Sequence, residues 1–479
     1  MNRPIRRVAI VTLIMFGLLL GNQTYTIVFR QDALNNEPTN RRTRDEEFAQ
    51  DRGPIMVGQT QIAQTVPSDD QFRFQRVYPE GPMYAPITGF YSYDQGRAGL
   101  ESSMNRELSG TADSQFVRRF LDSLTGEVPT GASVETTINA RAQEAAYEGL
   151  GDQKGAVVAL DPRTGAVLAL ATSPSYDPNL IADHDLSAAR EAYVELIEDP
   201  DAPMANRAAR EIYPPGSVFK LVTAAAALEN GMTTETLVDS PAQLRLPQTT
   251  IDLGNQVPCG GSRITIEQAL KVSCNTAFAN IALTLGADTM REQAEKFGFG
   301  SRPLPALNAV ASRYPDDPNP PQTALTGIGQ YDVATTPLQM AMVTAAIANG
   351  GQLYDPHIVA RVRASNLSVI EATTPQLRST PMSRPNADAL AKMMVTVVES
   401  GTGTNARISG HTVGGKTGTA QSAPDRPPYA WFTSYALDDS GQPVVAVAAF
   451  VESADVERSE IGGNRLAAPI AREVMEAVL

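Results

Sequence analysis

The chain has 479 residues, with 39 Lys and Arg against 53 Asp and Glu, for a formal charge of −14. That length holds more than one domain and a large core, and the acidic balance argues against a nucleic-acid binder. Two cysteines (Cys259, Cys274) and three scattered histidines (His184, His357, His411) make no His/Cys zinc spacing and leave little for a Ser-His-Asp triad, so no metal or cofactor is expected, although composition leaves carboxylate-rich metal sites open.

Arg3, Arg6 and Arg7 precede an apolar stretch from Val8 to Phe29, broken only by Asn22, Gln23 and Thr24 and closed by Arg30. Its 22 residues match the roughly 20 needed to cross a bilayer. The arginines place the N-terminus in the cytoplasm. A signal peptide competes with this reading, but no small-x-small cleavage site follows, so an uncleaved anchor is expected. The predicted division is a tail at 1–7, a transmembrane anchor at 8–29, and a polar linker at 30–51. Everything after the span is then extracytoplasmic.

Residues 52–131 read as a small elongated module. Short β-like runs (Ile55 to Val57, Gln61 to Val66, Phe72 to Tyr78) lie between Gly and Pro punctuation, and a helical pattern runs from Ser114 to Leu124. Glu101 in this module is expected to hold the fold. From 132 to 479 the pattern changes. Val134 to Ile138 reads as a strand and Ala140 to Leu150 as a helix; Ala156 to Leu160 and Ala166 to Leu170 read as a hairpin. A largely helical region follows to Ile347. Strands are predicted from Thr412 to Gln421, Ala430 to Ala436 and Pro443 to Val451, then a closing helix from Ala467 to Leu479. Early and late strands with helices between predict an α+β domain whose antiparallel sheet joins both ends of the domain.

Within this domain, Tyr213-Pro214-Pro215-Gly216-Ser217 leads into Val218-Phe219-Lys220 and an alanine-rich run ending near Gly231. Prolines and glycine stop what precedes, strong helix formers follow, and Ser217 falls at a helix N-terminus. Lys220, three residues on, shares its face. A hydroxyl beside an amine there can be activated without histidine. The plain alternative is an N-cap serine with a solvated helix-surface lysine.

Two further motifs follow in order: Ser273-Cys274-Asn275, and Lys416-Thr417-Gly418 with Thr419 on a predicted strand. Ser-x-x-Lys, Ser-x-Asn and Lys-Thr-Gly together form the set of the penicillin-recognising acyl-serine enzymes. Ser217 Oγ reads as nucleophile and Lys220 as its base when buried and neutral. Ser273 reads as proton relay, and Asn275 as the group that orients Lys220 and a substrate amide. Lys416, Thr417 and Thr419 would hold an anionic group, Gly418 would make room for substrate, and the Ser217 and Thr419 N–H groups would form an oxyanion hole. One decoy stands beside these motifs: Gly410 to Thr417 fits a phosphate-loop pattern, but Gly418, Pro424, Pro427 and Pro428 oppose the helix such a loop requires. Trp431 is expected to be a packed strand residue.

The resemblance extends well past the motifs. Arg52 to Ile55, Gly155 to Asn179, Glu211 to Lys220, Val272 to Phe278, Gly329-Gln330, Thr336 to Ala341, Ala348 to Gly351, and Gly414 to Gln421 with Ala430 to Phe432 resemble the class B penicillin-binding proteins, and within them the actinobacterial penicillin-binding protein A type. The resemblance implies a penicillin-binding, serine β-lactamase-like transpeptidase fold on a non-catalytic pedestal. It implies cross-linking of peptidoglycan stem peptides with release of D-alanine, β-lactams as covalent inhibitors, and a role in wall synthesis during growth or division. With no glycosyltransferase domain ahead of the pedestal, it also implies a SEDS-type polymerase partner in the membrane. A D,D-carboxypeptidase shares the chemistry, and a β-lactam-binding scaffold is the non-enzyme alternative. No Glu-x-x-Leu-Asn run for a β-lactamase deacylation step lies between Asn275 and Lys416. Finally, Cys259 and Cys274, the only cysteines in a chain expected to face an oxidising exterior, are predicted to pair.

Overall fold

The computed structural model describes residues 3–30, 34, 41–112, 130–420, 427–456 and 460–479. The pattern predicted over Ser114 to Leu124 lies outside them. A helix runs over Arg3–Tyr25 and a π-turn over Thr26–Arg30, with no buried residue along either. The polar stretch predicted as linker instead forms a helix over Arg41–Phe48. Its one apolar anchor, Phe48, stacks on Tyr91 at 4.3 Å and meets Phe72 edge-on, which is enough to dock a helix with little hydrophobic signal of its own.

The pedestal is organised by a six-stranded sheet in the order Val369–Ala372, Val359–Arg363, Ser133–Thr136, Ile55–Val57, Thr60–Pro67, Phe74–Val77. Ser133–Thr136 runs parallel to Ile55–Val57, so this strand belongs to the pedestal sheet and not to the catalytic one. Two late segments of the chain return to complete the same sheet, tying the two modules together. Glu101 is fully buried and accepts from Arg52 Nε and Arg76 Nε, each at 2.6 Å, and from Tyr78 Oη at 3.2 Å. Burial opposes its charge, but the two guanidiniums hold the carboxyl below its usual range.

The catalytic module is built on five antiparallel strands in the order Val413–Ala420, Tyr429–Leu437, Pro443–Ser453, Lys154–Leu160, Val167–Ser173. The predicted strands fall here within a few residues of their observed ends. Successive side chains alternate between faces. Val157 and Ala159 pack with helices Ala140–Leu150 and Ala468–Val478, while Ala156, Val158 and Leu160 pack with Lys220–Glu229 and Pro337–Ala348. Cover on both faces explains why these strands read as continuous apolar runs.

Candidate active site

Three separate segments deliver the motif residues to one place. The first is a turn held from three sides. Tyr213 exchanges backbone hydrogen bonds with Thr335 at 2.9 and 2.8 Å, Trp431 Nε1 donates to Pro214 O at 3.1 Å, and Gly216 N donates to Gly329 O at 3.0 Å. Gly216 has φ of +54°, a left-handed backbone that glycine adopts without a Cβ penalty. Gly216–Phe219 is a 3-10 turn, and the α-helix begins only at Lys220. In a 3-10 turn, residues i and i+3 eclipse, which aligns Ser217 and Lys220 along one side. Ser217 is half-buried.

Lys220 is not a solvated helix-surface lysine. It is fully buried, like every residue of its helix through Leu228. Its Nζ donates to Ser273 O and Asn275 Oδ1, both at 2.7 Å, and to Ser273 Oγ at 3.2 Å. It also stands 5.7 Å from the centre of the Phe278 ring. Among the described residues none of its bonds goes to Ser217. Burial first, and the charge of Lys416 second, hold Lys220 well below the usual lysine range.

The second segment joins helix Ile266–Lys271 to helix Asn275–Leu285. Ser273 sits in the gap with φ of +60°, an uncommon conformation for a non-glycine residue. The Cys259–Cys274 disulfide forms, with a Cα separation of 5.5 Å, and fastens the 255–262 loop to this motif. Asn275 Nδ2 donates to Gly254 O at 3.1 Å, and Thr276 N donates to Asn255 Oδ1 at 3.0 Å, so the same loop supports the motif at two more points.

The third segment is the edge strand Val413–Ala420. Lys416 Nζ donates to Ser273 Oγ at 2.8 Å and to Thr417 O at 2.9 Å. It too is fully buried, and burial lowers it to about 7. Thr417 is buried and shares a 2.7 Å hydroxyl bond with Thr402; Thr402 carries no sequence signal of its own. Thr419 is half-buried, and its carbonyl would lie 3.0 Å from a Cβ on Gly216, which brings the strand end against the Ser217 turn. Gly418 stands where a side chain would meet the protein itself. A Cβ there would come within 2.9 Å of Trp431 Cβ, 3.0 Å of Val218 Cγ1 and 3.1 Å of Pro215 O. The glycine lets the strand pack against the nucleophile turn. Trp431 is fully buried, as expected of a packed strand residue. The strand runs unbroken through Lys416 and Thr417, paired to Phe432 and Thr433. The strand continues through Gly418 to Ala420, where a phosphate loop would open a helix, and among the described residues no helix follows the Gly410 to Thr417 pattern, so the phosphate-loop alternative falls.

All eight sequence-predicted site residues therefore lie on three adjoining segments, and one oxygen, Ser273 Oγ, accepts from both buried amines. Comparison with known proteins gives the chain its relatives. The penicillin binding protein transpeptidase domain matches residues 155–476, and the penicillin binding protein A dimerisation domain matches residues 52–134. Peptidoglycan D,D-transpeptidase PbpA of Mycolicibacterium smegmatis is 40% identical over 492 residues, covering 100% of this chain and 99% of that relative. Peptidoglycan D,D-transpeptidase MrdA of Haemophilus influenzae is 30% identical over 424 residues, 81% of this chain and 63% of that relative. Penicillin-binding protein A from M. tuberculosis, solved as a ceftriaxone acyl-enzyme complex, superposes with a TM-score of 0.87 at 39% identity, covering 91% of this chain and 100% of that one. With the fold, the three motifs and a full-length relative in agreement, the chain belongs to the penicillin-binding protein transpeptidase family.

Proposed function

We propose that this chain is a serine-type peptidoglycan D,D-transpeptidase that cross-links stem peptides in wall synthesis and is acylated by β-lactams. The observation that carries the reading is that Lys220 Nζ and Lys416 Nζ both stand within hydrogen-bond distance of Ser273 Oγ, at 3.2 and 2.8 Å, which joins all three motifs through one hydroxyl. A neutral Lys220 keeps two N–H bonds, and its two shortest contacts, to Ser273 O and Asn275 Oδ1, use both. Its lone pair is then left to take a proton, the state that its burial favours.

In the reaction, Lys220 takes the proton of Ser217 Oγ as that oxygen attacks the carbonyl carbon of the penultimate D-alanine. The Ser217 and Thr419 N–H groups hold the resulting oxyanion, a contribution of typically ~3–4 kcal/mol per donor. The tetrahedral carbon collapses and the C–N bond breaks. The departing D-alanine nitrogen receives the proton from Lys220 by way of Ser273. An acceptor amine then attacks the acyl-serine, and the same groups run the proton in reverse. Asn275 orients the donor amide. Lys416, Thr417 and Thr419 hold the donor's terminal carboxylate, and Gly418 keeps that strand against the nucleophile. With water as acceptor, the product is that of a D,D-carboxypeptidase.

The same reading places residues 8–29 in the plasma membrane as a single anchor, supported by the helix over Arg3–Arg30, which is long and apolar enough to cross a bilayer. It puts 1–7 in the cytoplasm, the joining stretch at 30–51, a non-catalytic pedestal at 52–131 and the transpeptidase domain at 132–479, all outside after the span. The pedestal is then the face that meets a SEDS-type glycosyltransferase.

The test is peptide mapping of the detergent-solubilised chain after exposure to penicillin G. A stable adduct on Ser217 is expected. No adduct means a dead scaffold, and an adduct that turns over within seconds means a β-lactamase.

A further inference from the structure

We infer that Thr402 is a positioning residue for the carboxylate subsite, and that it sets the specificity for substrates with an anionic terminus. The inference rests on the transpeptidase reading, in which Thr417 meets the donor's carboxylate.

Thr402 lies in the short Gly401-Thr402-Gly403 turn after helix Arg384–Ser400. The turn is wedged between two motifs. Thr402 N donates to Lys271 O at 3.3 Å, two residues before Ser273. A Cβ on Gly401 would fall 2.6 Å from Lys271 O, and one on Gly403 would fall 3.2 Å from the Phe432 ring. Phe432 is the cross-strand partner of Thr417. Flanking glycines thus let the turn approach both supports, and the single side chain between them reaches the Thr417 hydroxyl at 2.7 Å. Thr402 is half-buried, whereas Thr417 is buried.

A carboxylate only accepts hydrogen bonds, so Thr417 must donate its one proton to it. A hydroxyl that can rotate has no reason to keep that proton aimed at the cleft. With Thr402 as donor, a Thr417 lone pair is occupied, and the remaining Thr417 O–H is directed towards the anion. The chain Thr402 O–H to Thr417 O–H to carboxylate then polarises each bond in turn. Lys416 supplies the charge; Thr402 fixes the direction of the hydroxyl that meets it. A neutral terminus gains little from this arrangement.

The experiment compares acylation of the full chain by penicillin G and by its uncharged methyl ester. In both, Ser217 Oγ bonds to the β-lactam carbonyl carbon as the ring C–N bond opens, and the Oγ proton ends on the ring nitrogen. Thr402→Val, nearly the same shape without the hydroxyl, is expected to slow penicillin G on the order of tenfold and the ester by less than about twofold. Thr402→Ser should recover penicillin G acylation to within about twofold of wild type. In a Thr417→Val background, Thr402→Val should add no further loss, since the relay is already cut. Equal loss for both probes would make Thr402 merely structural and overturn the inference. So would an unchanged penicillin G rate, a failed serine rescue, or full additivity with Thr417→Val. A wild-type chain that forms no adduct at all overturns the functional reading, and this inference with it.

Discussion

Replacing Lys220 separates its chemistry from its packing. Were it a surface lysine, Lys220→Ala would change stability by no more than about ±0.5 kcal/mol. It is instead fully buried, and alanine removes three methylenes from a closed site. At ~0.8 kcal/mol each, that is ~2.4 kcal/mol of lost burial. Two acceptors that Lys220 holds at 2.7 Å, Ser273 O and Asn275 Oδ1, also lose their donor, at ~1–3 kcal/mol for each that finds no other. Relief from burying an amine works the other way. The expected net loss is ~2–4 kcal/mol, a drop of roughly 3–6 °C in Tm for a unit of this size. Lys220→Met keeps the side-chain volume and deletes only the amine, so it should melt closer to wild type. Both variants should fail to acylate with penicillin G, which mass spectrometry reads directly, while differential scanning calorimetry reads the stability. A Lys220→Met protein that acylates at the wild-type rate refutes the base assignment. A Lys220→Ala protein within 0.5 kcal/mol of wild type refutes the energetic reading of the burial.

Three other outcomes are expected. Lys416 must be cationic to hold a carboxylate, and burial lowers it to about 7. The kcat/KM of acylation should therefore fall as pH rises through about 7, with the limb moving to higher pH in kcat because bound carboxylate favours the charged form; an alkaline limb near the ordinary 10.5 in both contradicts this. Gly418→Ala should destabilise the protein by ~1–3 kcal/mol through overpacking against Trp431 and Val218 and slow even small β-lactams. An unchanged Tm with only bulky substrates affected would return the glycine to a substrate-clearance role. Alkylation of the denatured, unreduced chain should add no groups to Cys259 and Cys274 and two after reduction, and the Cys259→Ser, Cys274→Ser double variant should lose up to ~3 kcal/mol; two groups added without reductant would show that the bond does not form in the native protein.

What was legible in the sequence had a periodic or punctuated signal. Helix Ala140–Leu150 matches its predicted bounds because Asn139 caps it and Gly151 ends it. Four of the five catalytic strands were legible because apolar runs of strand length alternate with turn residues; Val413–Ala420, with three glycines and a lysine, has no such run. Residues whose environment is set by distant segments were not. Lys220 follows Ser217 in a helix whose polar look at that point hides complete burial, because the enclosing atoms come from motifs 53 and more residues away. The strand Val359–Arg363 pairs with Ser133–Thr136 and carries Val369–Ala372 on its other edge, and nothing local marks a return to the pedestal. Helix Arg41–Phe48 is strongly polar, and Phe48 with Glu47, which accepts from Arg97 at 2.7 Å, docks it. Thr402 sits between glycines in a turn, where no pattern distinguishes a functional hydroxyl from a solvated one.

On the proposed reading, the placement of two buried lysines on one hydroxyl favours an anionic substrate. Both Nζ atoms bond Ser273 Oγ, at 3.2 and 2.8 Å, so they stand no more than about 6 Å apart. Two unit charges at that distance repel by ~3 kcal/mol at an effective dielectric of ~20. Among the described residues no carboxylate is a hydrogen-bond partner of either amine, so the repulsion is relieved by losing a proton. Lys220, lowered by its own burial and by Lys416, is the one to lose it, and is thereby left as a base. Ser273 holds its left-handed backbone, at φ of +60°, where its hydroxyl reaches both amines. An arriving carboxylate stabilises the charge on Lys416, and a charged Lys416 in turn keeps Lys220 neutral. In the proposed mechanism, recognition of the substrate's terminus and activation of Ser217 are thus coupled through the same pair of amines.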